Sequence, residues 1–289
     1  MRSRALPVLA VCVLLVAFWY VMAMVLNAPF ARDQASRDDR NLTLPQLAAD
    51  TLAQDRPRLP APHQVGRALW DGIAGQKVTS KRSLVYHGLV TLKATLLGFG
   101  LGILLGGGLA IAIVRLRVMD LSVMPWAIIS QTVPIVALAP MIVALMNALG
   151  VDDRLIAKAV ISAYLSFFPV LVSMVTGLRS PDAMQLDLLR TWNATTGQTF
   201  RKLRLPAAMP FAFAALKVAI AAALVGAIVG ELPTGAIEGL GARMLIGSQF
   251  GDPMSMWSAL FAAAILAGLL ILALGLAERL MHRLMGAAP

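Results

Sequence analysis

The sequence predicts an all-α membrane protein, a bundle of about six transmembrane helices. Hydrophobic residues fill 58% of its 289 positions and charged residues only 14%, where a soluble domain carries about a quarter. Apolar runs long enough to cross a bilayer recur along the chain. The cations collect between those runs and at their ends, as basic residues do beside an anionic leaflet. The formal net charge of +10 therefore reads as membrane topology rather than as affinity for nucleic acid.

Residues 6–26 form the first span. Arg2 and Arg4 precede it, as in a signal peptide, but its apolar part is too long for a typical signal core and no small-residue cleavage site stands out before Asn27. We expect an uncleaved anchor helix over 1–26. Residues 27–83 are polar and hold Pro57, Pro60 and Pro62, which predicts an extracytoplasmic segment, mostly loop, with short helices at 44–54 and 64–74. The second span, 84–114, carries glycine at 98, 102 and 106. That spacing puts all three on one face, where another helix of the same subunit can approach closely. The third span, 125–149, is interrupted by Pro134 and Pro140 and carries Gln131, Thr132 and Asn147. Proline frees backbone carbonyls that lipid cannot satisfy, so they must face protein or a water-filled path. The fourth span, 155–178, has Pro169 in its middle, and Lys158 in its first turn can snorkel to the surface. The fifth, 210–230, ends at Glu231 and holds Lys217 about two turns inside, where a lysine must snorkel or face the bundle. The sixth is 256–277.

Six spans place both termini on the same side as the loops at 115–122 and 179–206. That side gathers Arg2, Arg4, Arg115, Arg117, Arg279, Arg283 and the cations around residues 187–206, while the opposite short loops hold little beyond Arg154 and Arg243. By the positive-inside rule this is the cytoplasmic side. Residues 27–83 contain nine Lys or Arg and would lie outside, but long segments translocate largely regardless of charge.

Catalytic chemistry is not indicated. The chain has no GxxxxGK[ST], HExxH, CxxC or GxSxG, so it is not expected to be an enzyme, to hold a cofactor or to hydrolyse ATP by itself. Cys12 is the one cysteine, and His63, His87 and His282 are far apart, which points to no metal site and no internal disulfide.

The most informative stretch is 187–206, DLLRTWNATTGQTFRKLRLP, a polar segment between apolar runs with Arg179, Arg190, Arg201, Lys202 and Arg204 in and beside it. Asp187 suits the start of a helix. Asn193 is the non-glycine residue best able to take a left-handed turn, and Pro206 is expected to stop the second helix before the fifth span. The spacing resembles the loop of bacterial ABC-importer permeases: EAA, three residues, Gly, nine residues, Ile, one residue, Leu-Pro. Here Asp187-Leu188-Leu189 stands for EAA, Asn193 for Gly, Leu203 for Ile, and Leu205-Pro206 matches, with Gly197 inside the loop. Leu188, Leu189 and Trp192 depart from the family pattern.

Further stretches extend the likeness to the nitrate, sulfonate and taurine-type permeases from Leu59 onward. They are Leu59-Pro60-Ala61-Pro62, the run from His87 to Gly108, Gln131-Thr132-Val133-Pro134 with Ala137-Leu138-Ala139-Pro140, Phe167-Phe168-Pro169, and Val229-Gly230-Glu231 with Gly239-Leu240-Gly241. The resemblance implies a type I ABC-importer permease bundle over 84–289, similar to methionine permeases, with a cytoplasmic coupling loop at 179–206. It implies an ABC ATPase subunit that binds ATP and Mg and receives Asp187, Leu188, Leu189, Asn193, Gly197, Leu203, Leu205 and Pro206. It also implies a second permease, a periplasmic or lipid-anchored solute-binding protein, and a bacterial cytoplasmic (inner) membrane location. Small anions such as nitrate and sulfonates are the group's substrates. Leu216-Lys217 with the run 226–231 looks closer to importers of pyrimidine-like vitamin precursors.

A translocation path is expected at Gln131, Thr132 and Pro134, and at Glu231, an acid at a membrane boundary that a solvated helix end would equally explain. Ser162, Ser166 and Ser173 can line a path or pack helices. The rival classes are a secondary transporter, which wants midplane charges and an internal repeat, and a non-transporting membrane anchor.

Overall fold

The computed structural model describes residues 2–39 and 42–284, with the side chains of residues 2–5, 282 and 284 outside the described set. All regular structure among these residues is helical. Twelve α-helices follow in order: α1 (Arg2–Arg37), α2 (Leu44–Leu52), α3 (Pro62–Ile73), α4 (Leu84–Arg115), α5 (Arg117–Ser130), α6 (Ile135–Ala148), α7 (Arg154–Arg179), α8 (Ala183–Thr191), α9 (Thr196–Thr199), α10 (Leu205–Glu231), α11 (Leu240–Gln249) and α12 (Pro253–Leu284). Five helical runs are long and apolar enough to cross a membrane, and the pair α5 and α6 makes a sixth if it counts as one span.

The contacts divide the chain into two units. The first runs to His87 and takes in Arg243–Ala263. Here α1 does not stop where its apolar run ends at residue 26 but continues to Arg37. Asn27, fully buried, explains why the following chain folds back on it. Its amide donates to Leu59 O at 2.9 Å, its carbonyl accepts from the Leu59 amide at 3.2 Å, and its own backbone carbonyl accepts from Gln54. The chain after residue 43 is thus more ordered than a loop, with α2 and α3 close to their expected positions. Trp19 stacks with Phe261 at 5.7 Å and donates to Pro60 O, and His63 stacks on Tyr20 at 5.9 Å.

The second unit is Gly88–Ala242 with the chain from Ala264 onward. Lipid is as apolar as leucine, so helices here associate by close packing and internal polar contacts rather than by hiding greasy surface. The α7–α10 contact is accordingly built from small residues: Ala159, Ser162, Ala163, Ala219, Ala223, Gly226 and Ala227 are all buried. Ser162 is its centre. A methyl group added at Gly98 of α4 or at Gly226 of α10 would meet Ser162, and its hydroxyl donates to Ala223 O at 2.7 Å. Gly102 and Gly106 continue the α4 stripe against Ser166 and the Phe167 backbone. The glycine face therefore packs within this subunit, as expected. Ser162 and Ser166 are fully buried packing residues. Large side chains point outward, among them Leu104 (72% exposed) and Leu269 (57%), as befits a lipid-facing surface.

Four local expectations are corrected. The third span breaks at Pro134 but not, as also expected, at Pro140, which lies inside α6: α5 and α6 meet at 105° across 131–134, because the amide that Pro134 lacks and its restricted neighbour end the first helix there. Lys158 does not snorkel outward; it is buried and turned toward Glu231. Asp187 is not near a helix start, since α8 begins at Ala183 behind the N-cap Asp182. Pro206 does not stop a helix. The π turn Phe200–Arg204 passes straight into α10, with the Leu205 amide donating to Phe200 O, and proline in a first turn removes an amide that needs no partner there. Lys217 does find the bundle, pairing with Glu278 of α12.

Candidate functional site

Residues 183–206 fold as a helix, a turn and a second short helix. Gln185 accepts from the Asp182 amide at 3.2 Å to begin α8. The helix ends at Trp192, and Asn193 takes φ +54°, the left-handed conformation expected of it. Thr195 and Gln198 then form a reciprocal capping box: the Gln198 amide donates to Thr195 Oγ1 at 3.3 Å and the Thr195 amide to Gln198 Oε1 at 2.8 Å. Arg204 donates to Leu178 O at 3.1 Å, and Arg179 pairs with Asp120 of α5 at 2.8 Å, so both ends of the segment are anchored.

Nothing in α8 is buried. Met184, Leu188 and Trp192 recur every fourth residue, on one helix face, and are 82%, 52% and 72% exposed. Three large apolar side chains thus stand uncovered on one face of a polar loop. Asp187 is also exposed and pairs with Arg190 at 2.9 Å. Leu189 and Leu203 are half-buried, and Leu205 and Pro206 lie at the exposed start of α10. Gly197 is exposed with open space where a side chain would go, so packing does not demand glycine there.

The second group is the α5–α6 break. Gln131, Thr132, Val133 and Pro134 are all exposed. Gln131 caps the end of α5 and Pro134 the start of α6. Tyr164 of α7 fastens the break by donating to Ser130 O. Exposed non-helical backbone between apolar helices is tolerated in a bilayer only against protein or water.

The third group centres on Glu231, which is fully buried. Its Oε1 accepts from Thr91 Oγ1 of α4 at 2.9 Å and lies 3.7 Å from Lys158 Nζ of α7. Its Oε2 accepts from the Gly241 amide at 2.7 Å, in the first turn of α11. Thr91 Oγ1 in turn accepts from the Leu240 amide at 2.9 Å. Gly239, at φ +128°, lies so close that an added methyl would overlap the carboxylate. One acid thus ties α4, α7, the end of α10 and the 239–241 turn together, with a cation and helix-terminal amides to balance its charge. In this conformation it faces protein rather than an open passage, and the partners named here do not include the α5–α6 break. The sequence alone does not mark Thr91 or Lys158 as its partners. The pointers in the sequence are a lysine one turn inside α7 and a Gly-Leu-Gly eight residues beyond the acid.

The chain belongs to the family of binding-protein-dependent transport system inner membrane components, whose model matches residues 98–286. It is therefore a multi-pass inner-membrane permease with the type I ABC-importer fold. It is 30% identical over 225 residues to the riboflavin transport system permease protein of Chloroflexus aurantiacus, covering 78% of this chain and 80% of that one. It is 35% identical over 170 residues to a probable ABC transporter permease of Haemophilus influenzae, covering 59% and 67%. It is 34% identical over 170 residues to the formylaminopyrimidine transport permease of Halalkalibacterium halodurans, covering 58% and 65%. A putative aliphatic sulfonates permease of Bacillus subtilis is 28% identical over 169 residues, covering 57% and 59%.

Proposed function

We propose that this chain is the transmembrane subunit of an ATP-driven importer of a small solute, with α8 as the helix received by a separate ATPase subunit. The observation that carries this reading is the uncovered face of Met184, Leu188 and Trp192 on a loop whose two ends are anchored to the bundle. Closure of the ATPases then pushes on α8, and the π turn transmits the push into α10 without an intervening hinge loop. Such coupling works if the two states of the bundle differ in their contacts with that helix.

The positive-inside rule supports a cytoplasmic position for 183–206 and for both termini. The exposed break at 131–134 supports a translocation path past Gln131, Thr132 and Pro134, completed by a second permease. Glu231 serves that path from behind by holding the turn after α10. A flavin or an aminopyrimidine is a better-supported substrate than a sulfonate, because the relatives named for them are more similar to this chain.

The test is uptake into proteoliposomes holding the permease, its ATPase and its solute-binding protein. Riboflavin, formylaminopyrimidine and an alkyl sulfonate are offered in turn. Uptake should require ATP on the ATPase side. Uptake by the permease alone, driven by an ion gradient, would make it a secondary transporter.

A further inference from the structure

Beside the coupling segment lies a cavity of about 610 Å³ that docking of α8 does not explain. Its lining includes Arg115, Arg190, Arg204, Thr196 and Thr199, and no carboxylate. Each guanidinium is already held in place by a group other than a ligand. Arg115 lies 4.6 Å above the Phe200 ring, Arg190 is gripped by Asp187, and Arg204 donates to the Leu178 carbonyl. Each of these contacts leaves further N–H groups of a five-donor fork. Asp187 offsets Arg190, but Arg115 and Arg204 face the same cavity with no carboxylate in its lining, so their charges are left for an anion to join.

The position of the cavity limits what that anion is. Arg115 is the last residue of the apolar run of α4, and Arg204 immediately precedes α10. Both therefore sit where spans leave the apolar layer. Val114 is part of the lining, and Leu116, Val118 and Leu121, which follow Arg115 in the chain, are 57%, 77% and 70% exposed. Apolar surface is thus available next to the charged cavity. A phosphate with two acyl chains matches this pattern, while a soluble anion uses only half of it. Guanidinium forks fit phosphate oxygens in pairs.

We propose that this cavity binds the phosphate headgroup of an anionic phospholipid from the leaflet beside the coupling segment. A lipid seated there bridges the end of α4 to α8 and the π turn. It would steady the segment on which the ATPase is read to act. The inference rests on the proposed function only for naming the leaflet as cytoplasmic; the binding test below involves no ATPase, so the two readings fail separately.

The purified permease is placed in nanodiscs of phosphatidylcholine containing a minor fraction of phosphatidylglycerol, and the lipid retained is measured by native mass spectrometry after release in mild detergent. Wild type should retain phosphatidylglycerol in preference to phosphatidylcholine, and raised salt should erode the preference. Arg115→Gln and Arg204→Gln should each weaken retention about fivefold, while Lys202→Gln, outside the lining, should not. Inorganic phosphate is added as a competitor. Full displacement of the lipid by millimolar phosphate would show a soluble-anion site and overturn the lipid assignment. Equal retention of the two lipids by wild type would overturn it without recourse to any variant. Retention unchanged in both arginine variants would also overturn it, leaving an acidic segment of a protein partner as the occupant.

Discussion

Glu231 and Lys158 form a charge pair inside a bundle, and removing one partner of such a pair leaves the other buried and uncompensated. Lys158→Met should cost about 3–5 kcal/mol, whereas Lys158→Met with Glu231→Gln should recover part of that loss, because no unpaired charge is then left buried, although the amide keeps only one of the two accepting oxygens. Thermal unfolding in detergent, followed by tryptophan fluorescence, distinguishes the two. Equal destabilisation of single and double variants would mean that the pair is not what holds the site. Gly239 offers an independent check. Its φ of +128° and its contact with the carboxylate leave no room for a methyl group, so Gly239→Ala should cost about 1–3 kcal/mol in the same assay. The acid itself was legible in the sequence because a carboxylate at the end of an apolar run is rarely idle. Its partners were not. A lysine in a first turn can reach water or the bundle equally well, and only the close α7–α10 packing, made by alanine and glycine, turns Lys158 inward.

That spans exist could be read from apolar length, and α4 and α7 were legible to within a residue, but α1 and α12 run on past their apolar stretches to Arg37 and Leu284. Which proline interrupts a span could not be read. Pro134 and Pro140 both lie in one apolar run, yet the chain breaks at the first and continues through the second inside α6. Gln131 and Thr132 precede Pro134 and let α5 end, which hydropathy does not register. If the break faces a water-filled path, Thr132→Cys in a Cys12→Ser background should react with a membrane-impermeant thiol reagent. Leu104→Cys, on the lipid-facing surface of α4, should remain unreactive. Equal silence at both positions would remove 131–134 from the path. In the coupling segment the turn at Asn193 was legible from side-chain chemistry. The run from α9 into α10 was not, because a π turn carries no strong sequence mark and Pro206 in a first turn reads equally as a stop.

Among the described residues, many large apolar side chains face outward from the spans, while the interior is rich in alanine and holds several polar groups. That arrangement makes the exposed Met184, Leu188 and Trp192 informative, since they lie on a polar loop, where lipid is not available to cover them unless the loop lies in the interface. The central claim is that another protein covers them. The most direct measurement is co-purification of the ATPase subunit with the detergent-solubilised permease, comparing wild type with Leu188→Glu, Trp192→Glu. We predict that wild type retains the ATPase at about one copy per permease, and that the double variant loses at least tenfold while keeping its elution profile and melting temperature. Retention of the ATPase by the variant, or its absence from folded wild type, would contradict the assignment of α8 as the docking helix.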